Sequence, residues 1–366
     1  MTILHYTPDA DSMITQYVAM LSDKMSFYAV NAAATSLAQF RKMLADIKPD
    51  IVHLHGCWHS SVAIAAYWGT HHGARIVLSP HGQLEPWVMR DRYLTFRLPR
   101  LVAFLHRMVR HAYAIIAMGN MEQRCIRRFT SNPRIEVVLN AVTTCKISEA
   151  DMARSVYAIY NKVLDSNTLE LMSDDTRDIL ATLIKAGVTG DARWVEGDRQ
   201  NAACSLSDAV SWRQILLYAH HENIMDVVSR GMELTGARPQ TVPDVKSIPC
   251  YMPKGFKLAR TFTLTMTDAN EQALYVIRAL QKEASHNMIS VNSLVQLQKL
   301  LYRNEINEEK LVETLSYHDI DRFAARLMAV MEDMTLLDEG YVILPPLRDR
   351  KTRRLQEKIE NRLKIY

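Results

Sequence analysis

The run DIVHLHGCWH at 50–59 places three histidines and a tryptophan close together, and VLSPHGQLEPW at 77–87 again sets a histidine beside a glycine. Imidazole suits proton exchange near neutrality, hydrogen bonding in either sense, and metal ligation. A neighbouring glycine lets a ligand approach the backbone. His55, His59 and His81, near Gly56 and Gly82, are therefore candidates for ligand contact. A capping or turn role for each weighs about as much. His53 sits between Val52 and Leu54 and reads as a hydrogen-bonded core residue. No carboxylate or thiol stands at a fixed short spacing from these rings, so no metal is expected.

These residues need strands to position them. Short apolar runs at 3–6, 26–30, 51–54, 76–78, 114–117 and 135–139 alternate with longer segments of helical period, such as Leu37, Phe40, Leu44 and Ile47. Nearly continuous apolar strands imply burial on both faces, as in a parallel sheet covered by helices. The expected fold is α/β with a doubly wound parallel sheet, followed by a mostly α-helical region. Ligands of such sheets bind at the carboxyl ends of the strands, which selects 6–11, 55–59, 79–82, 118–120 and 140–143. By alternation His53 and His55 share one face, while Ile51 and Leu54 fall on different faces.

The run DIVHLHGCW, the helix after it and RIVLSPHGQLEPW resemble the N-terminal half of family-four glycosyltransferases of the GT-B fold. AYAIIAMGNMEQRCIRRF and RIEVVLNAVTT fit the same domain, so the likeness covers roughly 1–145, with SPHG after the HxHG strand its most specific part. The resemblance implies a sugar transferase that takes a nucleotide-sugar donor as substrate and a glycan or lipid-diphosphate acceptor, in surface polysaccharide synthesis. It implies no cofactor and no essential metal. His81 would be the catalytic contact to the transferred sugar in the interdomain cleft, with Gly82 giving close backbone approach. Gly56, Trp58 and His59 would line the site, Asn140 would hold the turn after the last strand, and Arg90 and Arg92 would be cations for a diphosphate or lipid head group.

The chain departs from that family at three places. Where a glycine pair follows the first strand, it has TPDADS at 7–12, whose two Asp would repel a diphosphate. The turn after the last strand is Asn140-Ala141-Val142, with Ala for Gly. Residues 150–366 show no Gly-containing cationic loop with an E-x7-E pair. A non-catalytic, glycosyltransferase-like scaffold is accordingly the alternative function.

Length 366, 48% hydrophobic and 23% charged residues describe a soluble globular chain of about two domains. Five Cys without a CxxC pair argue for a reducing compartment and against a disulfide framework. No apolar run approaches the ~20 residues of a membrane helix, and the N-terminus lacks a signal pattern. The expected location is the cytoplasm, at the inner face of the membrane. Residues 1–150 carry a charge of +6 and the remainder −2, so anionic partners are expected at the first half. The stretch 90–110 has six Arg and one Asp, with Leu101, Phe104, Leu105, Met108 and Val109 on one helical face. A surface helix with a basic outer side accounts for it, and peripheral contact with an anionic membrane is the functional reading.

From 149 onward helical periods dominate, at 151–164, 176–186, 209–220, 224–233, 271–284, 294–301, 310–315 and 323–334. Strand-like runs stand at 341–344 and 261–265, with loops expected at 190–206 and 236–255. His220-His221-Glu222 lacks the second histidine of HExxH, since position 225 is Met. Met328, Met331 and Met334 read as helix core. The expected division is a Rossmann-like domain at 1–148, a helical region at 149–245, and a helical, winged-helix-like module at 246–366 with a basic tail. Glu305, Glu308, Glu309, Glu313, Asp319 and Asp321 disfavour nucleic acid as its partner and favour protein.

Overall fold

The apolar runs near the start of the chain become strands because each can bury both faces at once. The computed structural model describes residues 1–8, 13–191, 193, 211–237, 239, 243–303 and 306–365. It forms two compact units, Met1–Ser166 with Pro249–Tyr251 and Ile365–Tyr366, and Asn167–Ile248 with Met252–Lys364. In the first unit the strands are β1 (Thr2–Tyr6), β2 (Val30–Ala34), β3 (Ile51–His55), β4 (Arg75–Ser79), β5 (Ala114–Ala117) and β6 (Ile135–Val137). They lie in the order β2-β1-β3-β4-β5-β6, all parallel. The chain leaves β1 to one side for β2 and returns to the other for β3. This is a topological switch point, where doubly wound sheets form a crevice at their carboxyl ends.

The helices cover both faces. Leu4, Tyr6, Val52, Leu54, Ile76 and Leu78 pack with Phe40 and Leu44 of α2 (Leu37–Ile47) and Val62 and Ala65 of α3 (Ser60–His71). Ile3, Ile51, Val77, Ala114 and Ile116 pack on the opposite face with Tyr17, Val18 and Leu21 of α1 (Met13–Met25). Ile51 and Leu54 thus fall on different faces, as their alternation requires. The run expected as a strand at 26–30 is instead a turn closing α1, with Ala29 N–H donating to Met25 O at 3.0 Å. Phe27 and Tyr28 stay exposed, and pairing with β1 begins only at Val30.

The basic stretch folds as α4 (Pro86–Arg90), a π turn at Tyr93–Arg97, α5 (Leu98–Arg100), a π turn at Leu101–Leu105 and α6 (His106–His111). Leu105, Met108 and Val109 are buried, with Leu101 and Phe104 packed beside them. The unit continues through α7 (Asn120–Phe129) and α8 (Glu149–Leu164). The first unit therefore runs past the expected boundary at 148. Met152, Val156 and Tyr160 of α8 belong to its core, and buried Arg75 donates to the carbonyls of Val163 and Ser166.

The second unit is built from α9 (Asp174–Thr189), α10 (Trp212–His221), α11 (Met225–Thr235), α12 (Ala269–Ser285), α13 (Val291–Leu301), α14 (Glu308–Tyr317), α15 (Asp321–Thr335) and α16 (Arg350–Glu360). Each overlaps an expected helix or the basic tail. α9 and α11 touch backbone to backbone: a Cβ at Gly231 would lie 2.0 Å from Leu183 O. Met328 and Met331 are buried core, as their spacing predicts. Residues 149–245 and 246–366 do not separate, because α9, α10, α12, α13 and α15 share one core. The runs at 341–344 and 261–265 are not strands: Glu339–Tyr341 is a 3-10 turn and 261–265 has no regular structure. No wing strand stands among the described residues of 246–366. Among the described residues the second unit contains no strand, and no helix is long and apolar enough to cross a membrane. Asp9 and Asp11, Glu305 and most of the loop at 190–206 lie outside the described residues.

Candidate functional site

Parallel pairing sets equivalent residues side by side on one face of a sheet. His5 pairs with His53, His55 with Ser79, and Asn31 lies beside Ile3, two positions before His5. Asn31, His5, His53, His55 and Ser79 therefore form a polar row on the α1 face, across four neighbouring strands. His5, His53, His55 and Ser79 are fully buried. Buried polar groups need partners, and these find them in each other. His5 Nε2 meets Asn31 Oδ1 at 3.3 Å, His5 Nδ1 meets His55 Nε2 at 3.0 Å, and His55 Nδ1 meets His81 Nε2 at 2.8 Å. His53 stands on a separate branch, with Tyr160 OH at 2.6 Å and Ser79 Oγ at 2.7 Å. It is the hydrogen-bonded core residue its surroundings imply.

The last member of the row is carried by a tight turn rather than a strand. Gln83 N–H donates to Pro80 O at 3.2 Å, with His81 at φ 55 and Gly82 at φ 78 between them. Positive φ suits glycine but strains histidine by about 1–3 kcal/mol, and such strain points toward function. The half-buried His81 ring is clamped between its bond to His55 and the edge of the Tyr17 ring, 4.9 Å away. The β3 turn joins this one. Gly56, at φ 76, donates to Ser79 O at 2.9 Å, and Gln83 Oε1 accepts from Cys57 N–H at 2.8 Å.

Burial sets the charge of the row. Loss of solvent lowers the His81 pKa to about 3 and that of His5 to about 4, the Asn31 hydrogen bond opposing the shift at His5. His53 and His55 are also pushed well down, first by burial and then by neighbouring rings. All four are neutral at pH 7. A base of pKa about 3 removes protons poorly at neutrality, so His81 suits hydrogen bonding better than general-base work. Potential ligand atoms of His5, His53 and His55 lie within 4.8 Å of one another. Both ring nitrogens of each already have protein partners, so an ion there would break the row.

Residues 23–141 match the family model of a glycosyl transferase 4-like domain. The first unit carries a glycosyltransferase-4-like domain. The match takes in β2 to β6 and the turns holding Gly56, His81 and Gly82. No curated protein and no solved structure matches the chain.

Within this transferase-like domain the candidate residues sort by environment. His81, Gly82 and Gly56 meet at the ends of β3 and β4. Trp58 is buried and donates from Nε1 to Gln83 O at 3.0 Å, with the Arg97 guanidinium 4.5 Å above its ring, so it braces the turns. His59 is exposed at the N-cap of α3 and makes no side-chain cap bond. Asn140 is buried, and its Oδ1 accepts from Val142 N–H at 2.9 Å, which shapes its own turn. Arg90 and Arg92 are exposed, on and after α4. The structure thus joins His55 to His81 but places His59 outside their network.

Sequence reasoning missed His5, Asn31, Tyr17, Tyr160, Gln83 and Glu122. His5 follows Ile3 by two residues and so shares its face, a legible signal once β1 is set beside β3. Glu122 is buried and accepts from Met118 N–H at 2.9 Å and Leu84 N–H at 3.3 Å, tying the β4 and β5 loops together. Nothing local in the sequence announces that role.

Proposed function

We propose that the chain is a glycosyltransferase that moves a sugar from a nucleotide-sugar donor to a glycan or lipid-linked acceptor, as in surface polysaccharide synthesis. The observation that carries the reading is His81, held in a strained turn at the carboxyl end of β4 inside a transferase-like domain. Its neutral ring supplies an orienting hydrogen bond to the sugar, and fixed position of this kind contributes to catalysis by holding reacting groups in place. Gly82 keeps the backbone open to close approach, while Gly56 is buried against the Gln83 side chain. Membrane contact belongs to the same proposal: Leu94 and Val102 are about three-quarters exposed (74% and 75%) among exposed Arg90, Arg92, Arg107 and Arg110. That surface suits the anionic inner face of a membrane.

The test is calorimetry of the full chain with a panel of UDP- and GDP-sugars, on wild type and His81→Ala. The expected result is saturable binding of one donor, weakened at least tenfold by the substitution. No binding across the panel overturns the proposal. A second reading, a non-catalytic scaffold, is favoured by the absence of strands among the described residues of the second unit. Sugar binding without release of the nucleotide in the presence of any acceptor glycan would select it.

A further inference from the structure

The hydrogen bonds of the buried row have a direction, and one carbonyl sets it. Asn31 Nδ2 donates to Ala29 O at 3.2 Å. A carbonyl oxygen can only accept, so the amide cannot be turned round, and Oδ1 is the atom that faces His5 Nε2. Oδ1 in turn can only accept, which places the His5 proton on Nε2 and leaves Nδ1 with a lone pair. His55 Nε2, 3.0 Å from that lone pair, must then be the donor. A neutral imidazole carries one N–H, so His55 Nδ1 is bare and His81 Nε2 must donate to it across 2.8 Å. His81 therefore ends the row with its proton pointing inward and its Nδ1 bare. Among the described residues, Nδ1 of His81 has no hydrogen-bond partner.

We infer that Asn31, His5 and His55 are positioning residues that lock His81 in the Nε2–H tautomer, so that its bare Nδ1 accepts a hydrogen bond from a hydroxyl of the bound ligand. The inference rests on the sugar-transfer reading for its ligand, but the tautomer itself does not. A hydroxyl can donate to Nδ1. A phosphate ester oxygen cannot, and would meet the lone pair instead. The lock thus selects the sugar part of a sugar nucleotide, or an acceptor hydroxyl, over a phosphate. The lock requires neutral rings, and burial keeps His5, His55 and His81 neutral at pH 7. Because an amide cannot pass a proton on, the row fixes a tautomer and does not conduct protons. His53 takes no part in it, since its partners Tyr160 OH and Ser79 Oγ can each donate or accept.

The experiment is long-range proton–nitrogen correlation NMR of the full chain labelled in histidine with nitrogen-15, at pH 7 and without ligand. The His81 signals are assigned by their loss in His81→Gln. The expected wild-type pattern is a protonated Nε2 and a bare Nδ1 for His5, His55 and His81 alike. In His5→Phe the His55 Nε2–H loses its acceptor, so both remaining rings should reverse, with the proton on Nδ1 and His81 turned into a donor. An Nδ1–H tautomer for His81 in wild type overturns the inference, even if every variant fails to fold. Folded His5→Phe with His81 unchanged also overturns it. Calorimetry with the donor sugar that binds wild type should show affinity falling about tenfold in His5→Phe. Absence of sugar binding beside the expected tautomers would instead overturn the sugar-transfer reading alone.

Discussion

Lowering the pH from 7 to 5 should loosen the first unit far more than surface titration would. His5 has its ordinary pKa of 6.5 in the unfolded chain and about 4 in the fold. Between those values the unfolded chain binds a proton that the folded chain refuses, so stability is full above pH 6.5 and falls as the pH falls toward 4. Integrated from pH 7 to 5, His5 alone removes roughly 2 kcal/mol. That corresponds to an opening equilibrium roughly thirtyfold more favourable. His53 and His55 are displaced in the same direction, and because the rings share hydrogen bonds their protons belong to the cluster rather than to one residue. Peptide-resolved hydrogen exchange on the full chain, corrected for the intrinsic rate at each pH, reads this directly in β1 and β3. His5→Gln removes one titrating ring and should flatten the dependence. Opening free energies for β1 and β3 that agree at pH 7 and pH 5 would refute the claim that the row is held neutral by burial.

In the second unit, Arg362 Nη1 lies 2.7 Å from Glu222 Oε1, with their side chains 8% and 1% exposed. Arg362→Met leaves that carboxylate buried without its partner and should cost about 3–5 kcal/mol at pH 7, read as a lowered urea midpoint. Adding Glu222→Gln should recover part of the loss, and no recovery would mean the pair is not what Arg362 contributes. At the exposed basic segment, Arg107→Glu with Arg110→Glu should cut sedimentation with phosphatidylserine vesicles by roughly thirtyfold, taking about 1 kcal/mol for each basic residue removed. Equal binding to the phosphatidylserine vesicles before and after the change would remove the membrane from the proposal.

Much of the first unit was legible because its strands are short, apolar and buried on both faces. Strand placement failed at 26–30, where Phe27 and Tyr28 look β-prone yet stand exposed in a turn. What decides there is the register with β1, a long-range partner that no local pattern displays. The same limit governs the site. His55, Gly56, His81 and Gly82 announced themselves by type and by neighbouring glycine. His5 and Asn31 did not, because their role arises only when β2, β1 and β3 lie side by side. His59 and Trp58 share the motif with His55, but α3 begins at Ser60 and turns His59 outward, while Gln83 O draws the indole inward. The run at 341–344 has strand composition but no neighbouring strand among the described residues to pair with, so composition alone misled.

Under the proposed sugar transfer, the turns at the ends of β3 and β4 suit one part of a sugar nucleotide better than the other. Phosphate is usually caught by backbone amides left open at strand ends and helix N-termini. Four amides of the β3 and β4 turns are spent inside the domain. Gly56 N–H goes to Ser79 O, Cys57 N–H to Gln83 Oε1, Gln83 N–H to Pro80 O and Glu85 N–H to Gly82 O. Leu84 and Met118 give theirs to the buried carboxylate of Glu122, which places an acidic group beneath the site. The imidazole at the centre is neutral and offers a lone pair. A diphosphate would meet neither a cation nor an open amide among these groups, whereas a sugar hydroxyl would meet an acceptor already oriented by buried hydrogen bonds. On the proposed sugar transfer these two turns suit the uncharged carbohydrate, and any cations for its phosphates come from outside them.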